Sequence, residues 1–114
     1  MSAAKPDLLH GTVDVLLLKT LSWGPMHGYS ISAWLRTRSD AALLVEDAAL
    51  YQALHRLERH GAIESEWGLS DKNRRARYYR LTAKGRARLK AEANAFRNFA
   101  HVVLRVLDAR LQEG

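Results

Sequence analysis

The hydrophobic period of this chain changes at Gly61, and that change limits the folds open to it. Before Gly61 the apolar residues recur every three or four positions, as on amphipathic helices; after it they alternate, as on a half-buried strand. Leu9, Val13, Leu16, Leu17 and Leu21 form the stripe of a first helix, which Gly24 and Pro25 end. A second, shorter helix runs from about His27 to Arg38, with Ile31, Trp34 and Leu35 on one face, and Ser39 and Asp40 break it. Ala41 to Val45 reads as a short strand or loop. Glu46 and Asp47 then supply acids for the start of a third helix, which runs to about His60 on a core stripe of Leu50, Leu54 and Leu57.

Beyond Gly61, Ile63 and Trp67 alternate with Glu64 and Glu66, and Tyr79 and Leu81 share a face. Ala62 to Leu81 therefore reads as a hairpin around the polar segment Gly68 to Arg75. Thr82 is placed to cap a final helix of about 28 residues. Leu89, Ala93, Phe96, Ala100, Val103 and Leu107 form a heptad seam along it. The predicted fold is mainly α with a small β-hairpin, in the order helix, helix, helix, strand, loop, strand, helix. A helix that long outruns the core a 114-residue chain can offer, so the seam is expected to pair two copies rather than pack internally.

Cysteine is absent, which excludes disulfide frameworks, thiolate zinc sites and cysteine nucleophiles. His10, His27, His55, His60 and His101 show no metal-ligand spacing, so no metal or other cofactor is expected. No nucleophile–base pattern or phosphate-binding glycine loop points to catalysis either. Met1 to Asp7 carries no apolar leader, and the longest aliphatic run, Ala41 to Val45, is far short of a membrane span. A soluble cytoplasmic protein is the expectation.

The net charge of +6 is not spread evenly. Lys72, Arg74, Arg75, Arg77, Arg80, Lys84, Arg86, Arg88 and Lys90 put nine bases and no acid into nineteen residues, while the remainder is mildly acidic. A run of one sign on an exposed hairpin suits a nucleic-acid backbone better than it suits mere solubility. Lys72, Asn73, Arg74 and Arg75 at the loop tip are the first candidates for phosphate or groove contacts. Arg77 and Arg80 can serve the same surface or be matched internally, because Glu64 and Glu66 can face them across the hairpin. The exposed face of the third helix, with Ala48, Ala49, Gln52, His55, Arg56 and Arg59, is the second candidate surface: small residues allow close approach, Gln reads adenine and Arg reads guanine. A helix, a turn and a recognition helix followed by a basic hairpin together point to double-stranded DNA.

The segments LHGTVD (Leu9 to Asp14), GPMHGY (Gly24 to Tyr29), LYQALHRLERHG (Leu50 to Gly61), EWG (Glu66 to Gly68) and RARYYRLTAKG (Arg75 to Gly85) resemble the PadR-like family of bacterial transcriptional regulators. The likeness covers about Leu8 to Leu107. It implies a winged helix-turn-helix DNA-binding domain over residues 8–81 and a dimerisation helix over 82–111, the smaller of the family's two architectures. It also implies a homodimer built largely through the C-terminal helix, that Tyr51 joins the DNA contacts, and that Arg74, Arg75 and Arg77 form the basic wing; the function expected on this reading is that of a dimeric repressor. Two positions depart from the family pattern: Ala49 and Gln52 stand where Ser or Thr and Pro are frequent, which removes a hydroxyl contact and alters the base read nearby.

His27, Gly28 and Tyr29 match the family's HGY motif and read as structural, Gly28 allowing close helix packing and Tyr29 filling space between helices. The resemblance further implies a small aromatic or cationic effector, for which Phe96 and Phe99 with Trp23 or Trp34 are the candidate lining, although aromatics at such positions more often belong to a core. The competing reading is a winged-helix module that binds an acidic protein partner.

Overall fold

The computed structural model describes residues 5–111, with side chains from residue 11 onward. Leu9, His10 and the stretch Met1 to Asp7 lie outside the described side chains. The elements are α1 (Lys5–Leu21), β1 (Met26–His27), α2 (Gly28–Arg38), α3 (Asp47–Arg59), β2 (Ile63–Leu69), β3 (Arg75–Leu81) and α4 (Ala83–Leu107).

Apolar residues lie on every side of α1, the pattern of a helix with neighbours all round. It touches α2, α3, α4 and β3. Its Leu17, Leu18 and Leu21 meet Ile31 and Leu35 of α2, Leu50, Ala53, Leu54 and Leu57 of α3, and Ile63, Tyr79 and Leu81 of the sheet in one buried cluster. Buried Thr20 satisfies its hydroxyl by donating to the Leu16 carbonyl at 2.8 Å.

The α3 helix ends as the sequence predicts, on a left-handed glycine. Gly61 has φ +79°, its N–H donates to Glu58 O, and the Ala62 N–H donates to Leu57 O, the paired bonds of a Schellman motif. Its start differs in kind. Glu46 occupies the cap position without a side-chain hydrogen bond, so the acids there act only through the helix dipole. Residues 41–45 form a loop rather than a strand.

The sheet has three strands in the order β1-β3-β2, all antiparallel. The hairpin was expected; β1, in which Met26 pairs with Tyr79 and His27 with Tyr78, was not, since two residues carry no readable period. His27 is also the N-cap of α2, its Nδ1 accepting from Ser30 N at 3.2 Å. β2 and β3 run through Leu69 and from Arg75, so the connecting loop shrinks to Ser70–Arg74. Asn73 holds φ +62° there, a left-handed position that asparagine tolerates better than most residues.

Thr82 caps α4 as expected, accepting from Gly85 N at 3.0 Å while donating to the Gly61 carbonyl at 2.6 Å. Gly85 lies against the Ala62 carbonyl so closely that a Cβ would collide with backbone. The first turns of α4 are thereby locked to the end of α3, and Leu89 packs on the core. From Phe96 onward the helix projects away. The radius of gyration is 16.9 Å, against about 13 Å for a compact chain of this length.

Candidate nucleic-acid interface

The predicted α3 residues gather on one surface. Ala48, Tyr51, Gln52, His55, Arg56 and Arg59 line a shallow groove along the exposed side of the helix, and Ala49 is exposed beside it. A second depression, bounded by Tyr51, His55, Glu58, Arg59, Arg77 and Tyr79, leads from α3 to the wing. A third runs between the start of α2 and the inner face of the hairpin, past Tyr29, Tyr51, Trp67, Lys72, Arg74, Arg75 and Arg77. Tyr51 borders all three, so the helix surface and the wing form one continuous face.

The structure sorts the basic residues by whether their charge is already matched. Arg80 donates to Glu64 at 2.9 Å and lies 3.7 Å from Glu66. The Glu64 hydrogen bond, with the charges of Glu64 and Glu66, raises the Arg80 pKa above its ordinary value. Arg77 faces neither of those acids. Its Nε donates to Ser65 Oγ at 2.8 Å and its Nη2 lies 3.5 Å from Glu58 of α3. By contrast Lys72, Arg74 and Arg75 make no ion pair among the described residues, and each is exposed. The uncompensated charge of the hairpin is concentrated at its tip.

Arg56 sits differently from the sequence expectation. Its guanidinium turns back to Asp14 of α1 at 2.6 Å, and Arg88 of α4 approaches the other oxygen of the same carboxylate at 3.5 Å. Asp14 is only 8% exposed, so this node ties the third helix to α1 and α4. An acid 42 residues away gives no local sequence signal. Arg75 also differs: it lies at the start of β3, not in the loop, with its guanidinium 4.5 Å from the centre of the Trp67 ring. Sequence reasoning missed that role for Trp67.

The HGY motif is structural in part, with one exchange of roles. Gly28 does permit a close approach, and the group it admits is the Tyr51 phenol. Tyr29 does not fill interhelical space. It is 75% exposed, in the first turn of α2.

Along α4, Ala93, Ala100 and Val103 are half-buried, while Phe96 and Leu107 of the seam are exposed, as is Phe99. Trp34 packs against the core with Arg38 over its ring, and exposed Trp23 lies under Lys19.

A three-helix unit with an exposed third helix and a β-hairpin beside it defines a winged helix-turn-helix protein, here extended by one long C-terminal helix. The family model for PadR-like transcriptional regulators matches residues 17–91, and the chain belongs to that family. It is thus a DNA-binding transcription regulator rather than an enzyme. A transcriptional regulator of Clostridium thermocellum of solved structure is 32% identical, with a TM-score of 0.79 over 87% of this chain and 96% of that one. A PadR family regulator of Eggerthella lenta is 28% identical, with a TM-score of 0.76 over 91% of this chain and 88% of that one. An uncharacterised protein of Lysinibacillus sphaericus is 33% identical over 86 residues, 75% of this chain and 78% of its own length. Among the described residues no helix is long and apolar enough to cross a membrane.

Proposed function

We propose that the protein is a homodimeric repressor that reads a pseudo-palindromic operator. Each protomer lays the exposed face of α3 in a major groove, with Ala49, Tyr51, Gln52, His55 and Arg59 against the bases and backbone. The wing tip, Lys72 to Arg75, meets the adjoining phosphates or minor groove. The observation that carries this reading is the continuity of the α3 surface with a wing tip whose three cations make no ion pair among the described residues. Arg56 is left out of the base contacts because Asp14 already holds its guanidinium.

The dimer is supported by α4, where Phe96, Phe99, Val102, Leu104, Val106 and Leu107 are exposed on a helix that extends past the buried core. Two copies related by a two-fold axis bury that surface and set two recognition helices about one helical turn of DNA apart. Exposed Phe96 and Phe99 offer aromatic faces to a small aromatic or cationic effector.

Selection of bound duplexes from a random pool, repeated at two salt concentrations, tests the reading. A two-fold symmetric consensus is expected. Arg74→Ala weakens binding to all sequences and lowers the salt slope by about one. Gln52→Ala instead relaxes the choice of base at one position per half-site, by about 1 to 3 kcal/mol. Retention of the chain on heparin with no sequence preference among duplexes overturns the reading in favour of an acidic protein partner.

A further inference from the structure

The hairpin has an inner and an outer face, and the inner one changes character along its length. Near the core it pairs buried Ile63 with Leu81, then Ser65 with Tyr79; further out it pairs Trp67 with Arg77 and Leu69 with Arg75. Trp67 is 56% exposed and outside the buried core, so hydrophobic burial does not account for an indole at this site. What the ring does touch is charge: the Arg75 guanidinium carbon stands 4.5 Å from its centre and that of Arg77 stands 5.5 Å from it.

The two arginines differ in what else holds them. Arg77 is anchored by Ser65 and Glu58, and the Ser65 hydroxyl itself donates to Glu58 at 2.6 Å, so α3, β2 and β3 meet in one polar clasp. Arg75 has no ion pair and no side-chain hydrogen bond among the described residues; the Trp67 ring is what fixes its head. A guanidinium on an aromatic face keeps its in-plane N–H donors free, so stacking orders Arg75 without using up the groups that bind phosphate.

We propose that Trp67 is a positioning residue for DNA binding: it holds Arg75 ready for a phosphate and braces Arg77, which is a strut between wing and recognition helix rather than a DNA contact. The inference rests on the DNA-binding face argued above. A free arginine loses side-chain entropy on meeting DNA, and one stacked in advance loses less. Removing the ring therefore weakens binding about three- to tenfold while leaving the number of charges unchanged.

The test uses the full chain, proton NMR of the arginine side chains, thermal melting, and binding of a mixed-sequence duplex at two salt concentrations. In the unaltered protein the δ-methylene protons of Arg75 and Arg77 are shifted upfield by the indole ring current. Trp67→Leu abolishes that shift and costs about three- to tenfold in affinity with the salt slope and melting temperature retained. Trp67→Phe restores most of both. Arg75→Ala lowers the slope by about one, and in that background Trp67→Leu has little left to remove. Unshifted Arg75 protons in the unaltered chain overturn the proposal. So does undiminished binding by Trp67→Leu, or an equal loss from it with and without Arg75. If the unaltered chain retains no duplex even at low salt while its ring-current shifts are intact, the reading of the face itself fails, and the role of Trp67 in binding falls with it.

Discussion

Helices α3 and α4 carry the same kind of apolar stripe and meet different fates. Leu50, Leu54 and Leu57 of α3 are fully buried against α1 and α2. On α4, only Leu89 of the predicted seam packs against the core, and Phe96 and Leu107 face outward. A helical period states which side of a helix is apolar. It does not state what covers that side. For α3 the cover is supplied within the same chain by a helix that is apolar all round. For α4 the geometry of its start, locked at Thr82 and Gly85, sends the rest of the helix past the end of the core.

The largest effect that sharpens this contrast is a pair of truncations. Leu54→Ala removes a buried side chain from the centre of the domain and should cost about 2 to 5 kcal/mol in denaturant unfolding, at any protein concentration. Against a total stability of about 5 to 15 kcal/mol, that is a severe loss. Phe96→Asp on α4 should leave the unfolding of a dilute single chain nearly unchanged. It should shift the species seen by light scattering from dimer to monomer and remove the concentration dependence of the melting temperature. Equal destabilisation by both, independent of concentration, breaks the contrast and places α4 inside the core.

Gly85→Ala comes next. The added methyl meets the Ala62 carbonyl, which is backbone and cannot swing aside as a side-chain tip can, so about 1 to 3 kcal/mol is expected. Gly28→Ala should cost less, because the atoms in its way belong to the Tyr51 ring, which can rotate toward solvent. Comparison of the two melting temperatures checks the order. A larger loss at Gly28 would mean that α2 and α3 are held more rigidly than the exposure of Tyr51 suggests.

These cases also show what the sequence could reveal. The four helices and the hairpin, the end of α3 at Gly61 and the Thr82 cap were legible because each leaves a local pattern in the sequence, whereas β1 was not. Much of what was not legible depends on partners distant in sequence. Arg56 looked like an outward base reader because Asp14 lies on another helix. Tyr29 was expected between helices and is exposed, while the space beside Gly28 is taken by the phenol of Tyr51, a residue of another helix. Alternation correctly set Trp67 on the same face as Ile63, yet that face runs past the core, so a residue of core type ends as a platform for arginine. The site was legible as a surface, and the division of labour on it was not.

The smallest expected effect concerns Tyr79, which tests whether the α3 side responds to pH while α4 does not. Burial raises the Tyr79 phenol pKa above its ordinary 10.0; the Arg77 guanidinium pulls it down, while Glu58 and Tyr51 push it up. All of these groups belong to the hairpin or to α3, and none to α4. Because the folded pKa is raised, the unfolded chain loses its proton first as pH increases. The stabilising contribution is therefore complete below pH 10.0 and is lost as pH rises through the folded value. The melting temperature of the native chain should fall more steeply above that point than that of Tyr79→Phe, whereas near neutrality the two should lie within about 1.5 kcal/mol, as expected for a nearly volume-conserving exchange. Dimer content, read by light scattering in the window where the chain is still folded, should follow the same curve in both proteins. If instead the alkaline loss is unchanged by Tyr79→Phe, or association through α4 falls in step with it, the two helices are coupled more tightly than their separate covers imply.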